Sequence, residues 1–133
     1  MRIVPCDYCG QPAQLVTGAV IYPHRKDLHS LKFWQCEPCA AYVGCHKQSD
    51  AVPLGRLANV ELRAAKKKAH SYLDPIWQEG HMSRKDVYIW LASKLKIRQA
   101  NSHIGMFSVE QCHEVVKLCN EFYQKQIEDM NND

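Results

Sequence analysis

A chain of 133 residues with 46% hydrophobic side chains suffices for one domain, or for a small module fused to a helical one. No run approaches the about 18 to 20 apolar residues of a spanning helix. The start "MRIVPCDYCG" lacks the apolar stretch of a secretory signal, so a cytoplasmic protein with reduced thiols and no membrane partner is expected. The net charge of +3 is unevenly spread, with ten Lys/Arg against four Asp/Glu in residues 54–100 and two against six in residues 101–133. A basic middle and an acidic end suggest a localised anionic partner rather than a generally adhesive surface.

In chain order, residues 1–50 read as short β segments around turns. "AQLVTGAVIY" (13–22), "LKFWQC" (31–36) and "AYVGCH" (41–46) are rich in β-branched and aromatic residues, punctuated by Gly10, Pro12, Pro23 and Pro38. "SDAVPLG" (49–55) reads as a linker into a helical region spanning residues 54–130. A first helix is predicted after Asn59, a good N-cap type, to about Leu73. Leu62, Ala65, Ala69, Tyr72 and Ile76 recur at spacings of three and four along it, and Asp74-Pro75 should end or kink it. Ser83 opens a second helix burying Val87, Trp90 or Leu91, and Leu95. "IRQANSHIGMF" (97–107) reads as a loop whose Ile104, Met106 and Phe107 pack between helices or, if exposed, anchor a partner. Ser108 and Gln111 form a capping box for a third helix, buried through Cys112, Val115, Val116, Cys119, Phe122 and Tyr123. The polar end "IEDMNND" should fray. The expected fold class is α+β: an N-terminal zinc-ribbon-like β module over residues 1–50, then three helices.

The chemistry of the chain concentrates in its cysteines. Seven is an odd count, which disfavours a closed disulfide framework. Cys6-x2-Cys9 and Cys36-x2-Cys39 are two pairs with the same gap. A two-residue gap lets two sulfurs from one tight turn converge on one ion, and zinc takes four such ligands tetrahedrally. Gly10 directly after Cys9 suits that turn. Four thiolates close the coordination sphere, so the zinc is expected to be structural and not catalytic. Buried free thiols, redox motifs and an iron–sulfur cluster are the competing readings; a redox pair would need a βαβ context that is missing. Cys45 or His46 could replace one ligand, although both read more simply as bystanders. Cys112 and Cys119 share a helix face with Val115 and Val116 and read as core.

Longer signatures accompany the pairs: "IYPHRKDLHSLKFWQCEPCAAYVGCH", "PLGRLANVELRAAKKKAHSYLDPIW", "MSRKDVYIWLASKLKI" and "HIGMFSVEQCHEVV". Together they resemble a family of small zinc-finger-containing proteins of unknown function found in phages, prophages and bacteria. The resemblance runs from Cys6 to about Cys119. It implies a zinc module carried by Cys6, Cys9, Cys36 and Cys39, and little about activity.

Three functional readings compete. In the first, a non-enzymatic zinc-finger protein binds DNA or RNA, with Arg25, Lys26, Arg63, Lys66 and Lys67 meeting phosphates and nearby aromatic rings stacking on bases or filling the core. In the second, a zinc-stapled adaptor or inhibitor binds a host protein. In the third, a metal nuclease uses a histidine between the cysteine pairs. His24 and His29 lie there, but neither adjoins an acidic residue as such a base requires. The first reading is preferred, and no enzymatic activity is expected.

Overall fold

The structure is a computed structural model that describes residues 2–131. The chain divides between Glu61 and Leu62 into two compact units. The first is β-rich and the second helical, in line with the expected α+β class.

In the first unit, strand β1 (Gln14–Thr17), β2 (Lys32–Cys36) and β3 (Ala41–Gly44) form an antiparallel sheet in that order. Leu15 lies opposite Trp34 and Cys36 opposite Ala41. Side chains alternate faces along a strand, so Trp34 and Cys36 point one way and Phe33 the other. Trp34 and Cys36 enter a small core with Val4, Cys6, Ala13, Ala41, Ala51 and Leu57. On the opposite face Phe33 meets Tyr22 and Tyr42 edge-on, at centroid distances of 5.8 and 6.0 Å. The two tyrosine hydroxyls share a 2.7 Å hydrogen bond. The aromatic residues of "YPHRKDLHSLKFW" therefore serve packing, and the Trp34 indole N–H is itself bound to the Ala51 carbonyl at 2.8 Å.

Two sequence expectations need correction here. Residues 13–22 are not extended throughout, because Gly18–Ile21 forms a single helical turn, α1. The Gly18 N–H donates to the Leu31 carbonyl at 2.8 Å, and a Cβ at position 18 would run into the Leu28 carbonyl. The strand propensity of Val20 and Ile21 yields to that close backbone approach. The segment 49–55, expected as a linker, is fastened to the sheet. Cys45 bridges Pro53, Tyr42 bridges Ala58, and Ala51 and Leu57 are buried.

In the second unit, helix α2 (Val60–Gln78) starts where Asn59 suggests but continues through Pro75. A proline inside a helix costs about 3 kcal/mol. Leu73 and Ile76, fully buried on either side of it, each contribute about 1.5–3 kcal/mol by burial, enough to hold the helix together. Its end is closed by His81 N–H to the Ile76 carbonyl and Gly80 N–H to the Trp77 carbonyl.

Helix α3 (Arg84–Leu95) begins as expected, with Ser83 Oγ accepting from the Asp86 amide. It buries Val87, Leu91 and Ala92, while Trp90 and Leu95 are only partly covered. The loop that follows folds into two 3-10 turns, Gln99–Asn101 and Ile104–Met106. Ile104 and Phe107 are buried and Met106 is 53% exposed, so packing claims two of the three apolar loop residues.

Helix α4 (Val109–Asn131) opens on the reciprocal box: Ser108 Oγ accepts from the Gln111 amide, and Gln111 Oε1 accepts from the Ser108 amide. Cys112, Val115, Leu118 and Cys119 form its buried face, with Phe122 and Tyr123 packed at the margin. Val116, expected inside, is partly exposed. The polar end is helical from Ile127 to Asn131, where the described residues stop; residues 132 and 133 lie outside them. No helix is long and apolar enough to cross a membrane.

Candidate metal centre

Both cysteine pairs sit on tight backbone turns. After Cys6 the chain reverses: Gly10 N–H donates to the Cys6 carbonyl at 2.9 Å, and Cys6 N–H to the Gln11 carbonyl at 2.8 Å. The Tyr8 amide points at Cys6 Sγ from 3.4 Å. Gly10 carries φ +77°, a conformation glycine adopts without steric cost. The second turn leaves β2 at Cys36 and enters β3 at Ala41, with Ala40 N–H bound to the Glu37 carbonyl at 3.0 Å. Ala40, the counterpart of Gly10, carries φ +52° despite its Cβ.

The β1–β2–β3 sheet brings the two turns together. The sulfurs of Cys6, Cys9, Cys36 and Cys39 all lie within 4.8 Å of one another, and Cys9 Sγ stands 3.7 Å from Cys36 Sγ. Zinc bound tetrahedrally at about 2.3 Å from each sulfur requires neighbouring sulfurs about 3.8 Å apart. A disulfide would require about 2.05 Å. The spacing fits one ion at the centre and leaves no room for a multinuclear cluster. Cys6 and Cys36 are buried, Cys39 is half-buried and Cys9 faces solvent.

Electrostatics point the same way. Burial alone would raise the Cys6 thiol, but the Tyr8 and Cys9 amides and the neighbouring sulfurs hold it below its ordinary value. Contact with the Cys36 sulfur, then with Cys9, pushes Cys39 up to about 12. A group of sulfurs this close cannot collect negative charge together without a cation. A divalent metal removes that conflict and releases the protons. Cys6, Cys9, Cys36 and Cys39 thus form a structural zinc site, whose ion would tie the first turn to the sheet and, with all four positions taken by sulfur, offer none to water.

Cys45 and His46 stand outside the cluster. Cys45 lies in the bridge to Pro53, its thiol raised by burial, and His46 is exposed. Cys112 and Cys119 are fully buried in the helical core. The residues between the first cysteine pair have a role the sequence did not signal. Asp7 Oδ2 accepts from the Leu57 amide at 3.0 Å, and the Tyr8 hydroxyl accepts from the Asn59 amide at 3.1 Å. The metal turn therefore also anchors residues 57–59.

The five basic residues singled out from the sequence divide between the units. Arg25 and Lys26 are exposed in the β unit, where Arg25 grips Asp27 through two hydrogen bonds of 3.0 and 2.8 Å. Arg63, Lys66 and Lys67 lie on α2 in the helical unit; Lys66 Nζ donates to the Gly105 carbonyl at 2.8 Å, and Lys67 is exposed. Of the histidines between the cysteine pairs, His24 is exposed, and His29 Nε2 lies 3.2 Å from the Tyr22 and Pro23 carbonyls. Asp27, the acid between them, is committed to Arg25.

No curated protein and no solved structure matches this chain. The zinc-finger-containing domain family matches residues 2–122, a span that includes all four clustered cysteines and the three main helices up to the middle of α4. By that match, which spans most of the chain and encloses the four-thiol cluster, the chain belongs to the zinc-finger-containing domain family.

Proposed function

We propose that this is a non-enzymatic zinc-finger protein that binds nucleic acid through cations of its helical unit, with zinc serving only to hold the β unit folded. The supporting observation is a set of exposed cations without counter-charges. Lys67, Lys68, Lys85, Lys94, Lys96 and Arg98 are all exposed, and none stands in an ion pair among the described residues. Cations left unpaired in a segment with ten Lys/Arg against four Asp/Glu favour a polyanionic ligand. Arg25 is the weakest of the proposed phosphate contacts, because a phosphate would have to compete with Asp27 for its guanidinium.

The test is a titration of the zinc-loaded protein against single- and double-stranded DNA and RNA at low and physiological salt. Affinity should fall steeply with salt, with a logarithmic slope of about −0.7 to −0.9 per phosphate contacted. Replacing Lys67 and Lys68 together by Glu should lower affinity at least tenfold and make the slope shallower. No binding of any form by folded, zinc-loaded protein would overturn the proposal and leave a protein partner as the reading to pursue.

A further inference from the structure

A cavity of about 350 Å³ lies in the helical unit between α3 and the loop after it, lined by Arg84, Lys85, Tyr88, Ile89, Gln99 and His103 among others. Its size falls at the small end of ligand pockets, which run about 300–1,000 Å³. The loop is fastened to the helix: the fully buried Ser102 hydroxyl donates to the Tyr88 carbonyl at 2.7 Å. The His103 and Tyr88 rings stand 6.1 Å apart, inclined at 42°. At the mouth, the Arg84 guanidinium lies 5.8 Å from the Trp77 ring centre and 5.4 Å from that of Tyr88.

Arg84 is held by aromatic rings and has no carboxylate partner among the described residues. A guanidinium fixed in this way keeps its charge available and loses little freedom on meeting an anion. Lys85, exposed beside it, has no ion pair either, and the exposed side chains of Gln99 and His103 have no hydrogen bond among the described residues. An apolar ring-lined slot thus adjoins two unpaired cations and two free polar side chains.

We infer that this cavity binds a nucleotide, its base against Tyr88 and His103 and its phosphate on Arg84 and Lys85, with Gln99 at the base edge. Bases stack on aromatic side chains whatever their sequence, and the adjacent cations add charge-assisted bonds to phosphate. A bare phosphate or phosphorylated side chain would use the cations and leave the ring wall uncovered. A nucleoside would do the reverse. The ligand could be one unit of a single strand or a free nucleotide. The strand form rests on the nucleic-acid reading above; the free-nucleotide form does not.

The zinc-loaded full chain would be titrated with a labelled single-stranded dodecamer, a duplex, adenosine and cytidine monophosphates, the two nucleosides and inorganic phosphate. Arg84→Ala, Arg84→Lys and His103→Ala variants would run in parallel, each first checked for unchanged helicity and melting. The monophosphates should bind saturably, with nucleosides and inorganic phosphate at least tenfold weaker. Arg84→Ala and His103→Ala should each weaken monophosphate and single-strand binding about tenfold, with Arg84→Lys intermediate because charge remains but the forked guanidinium is lost. Single-strand binding that all three variants leave unchanged would overturn the pocket and keep the nucleic-acid reading. Arg84-dependent binding of monophosphates alone, with no oligomer bound, would keep the pocket and overturn that reading. Binding of no ligand would overturn both.

Discussion

The two units solve the same stability problem with different means. The helical unit buries Leu73, Ile76, Val87, Leu91, Ile104, Phe107 and Val115 in one core. The larger apolar groups in the core around the metal site are Val4, Trp34 and Leu57, and two of its buried members, Cys6 and Cys36, are metal ligands. Units of about 60 residues bury too small a share of their surface to be secure without help. The helical unit compensates with large side chains on three helices, the β unit with a cross-link at zinc. One should therefore fail on loss of metal and the other on damage to packing.

The largest effect expected is from breaking the metal site. Cys9→Ser or Cys36→Ser should abolish stoichiometric zinc binding and cooperative melting of the β unit, since metal binding and folding are one equilibrium in such modules, worth about 10 kcal/mol or more. Circular dichroism should still report most of the helical signal. Retained zinc with a cooperative β-unit transition would remove the site; loss of the helices as well would remove the contrast between units.

Next in size is Gly18→Ala, which leaves every thiol untouched. The added Cβ meets the Leu28 carbonyl, a backbone atom that cannot swing aside, so the β unit should lose about 2–3 kcal/mol by denaturant unfolding. An unchanged midpoint would mean that the 26–31 turn relaxes freely.

Alkaline pH should act on the helical unit instead. Burial raises the Cys112 thiol above its ordinary 9.0 and pushes Cys119 up to about 12. Because the unfolded chain releases these protons more readily, the stabilisation is complete below about pH 9 and is lost as pH rises towards 12. The melting temperature of this unit should fall by several degrees between about pH 8 and 10.5. Cys119→Ala should flatten that dependence; an equally steep fall in the variant would exclude Cys119 as its source.

The smallest effects test the backbone of each unit. Ala40 follows the second cysteine pair at φ +52°, and Lys96 closes α3 at φ +57°. Both hold the left-handed conformation with a Cβ, where glycine is at ease. Ala40→Gly should raise the stability of the β unit, and Lys96→Gly that of the helical unit, by up to about 1 kcal/mol each in equilibrium unfolding. A destabilised Ala40→Gly protein would show that the methyl group packs usefully beside the site.

Local chemistry made the four ligands, the start of α2, the Ser83 cap and the Ser108–Gln111 box readable in advance. In the helix starts, and within each cysteine pair, the interacting groups lie within a few residues, so spacing and residue type determine the contact. That the two pairs would meet across the chain was readable for a related reason, since four zinc ligands must converge on one ion; the antiparallel register that does it comes from the structure. What escaped depends on distant partners. Whether Gly18 turns is decided by the Leu28 carbonyl, whether Pro75 breaks α2 by burial of Leu73 and Ile76, and whether 49–55 is a linker by Trp34, Gly44 and Cys45. The slot framed by Arg84, Tyr88 and His103 belongs to the same class. Its charges and rings are ordinary in sequence; helical spacing sets Arg84 beside Tyr88, but only the loop fastened through Ser102 brings Gln99 and His103 to them. Energies set by groups far apart in the chain have no local signature, so the tertiary structure alone decided them.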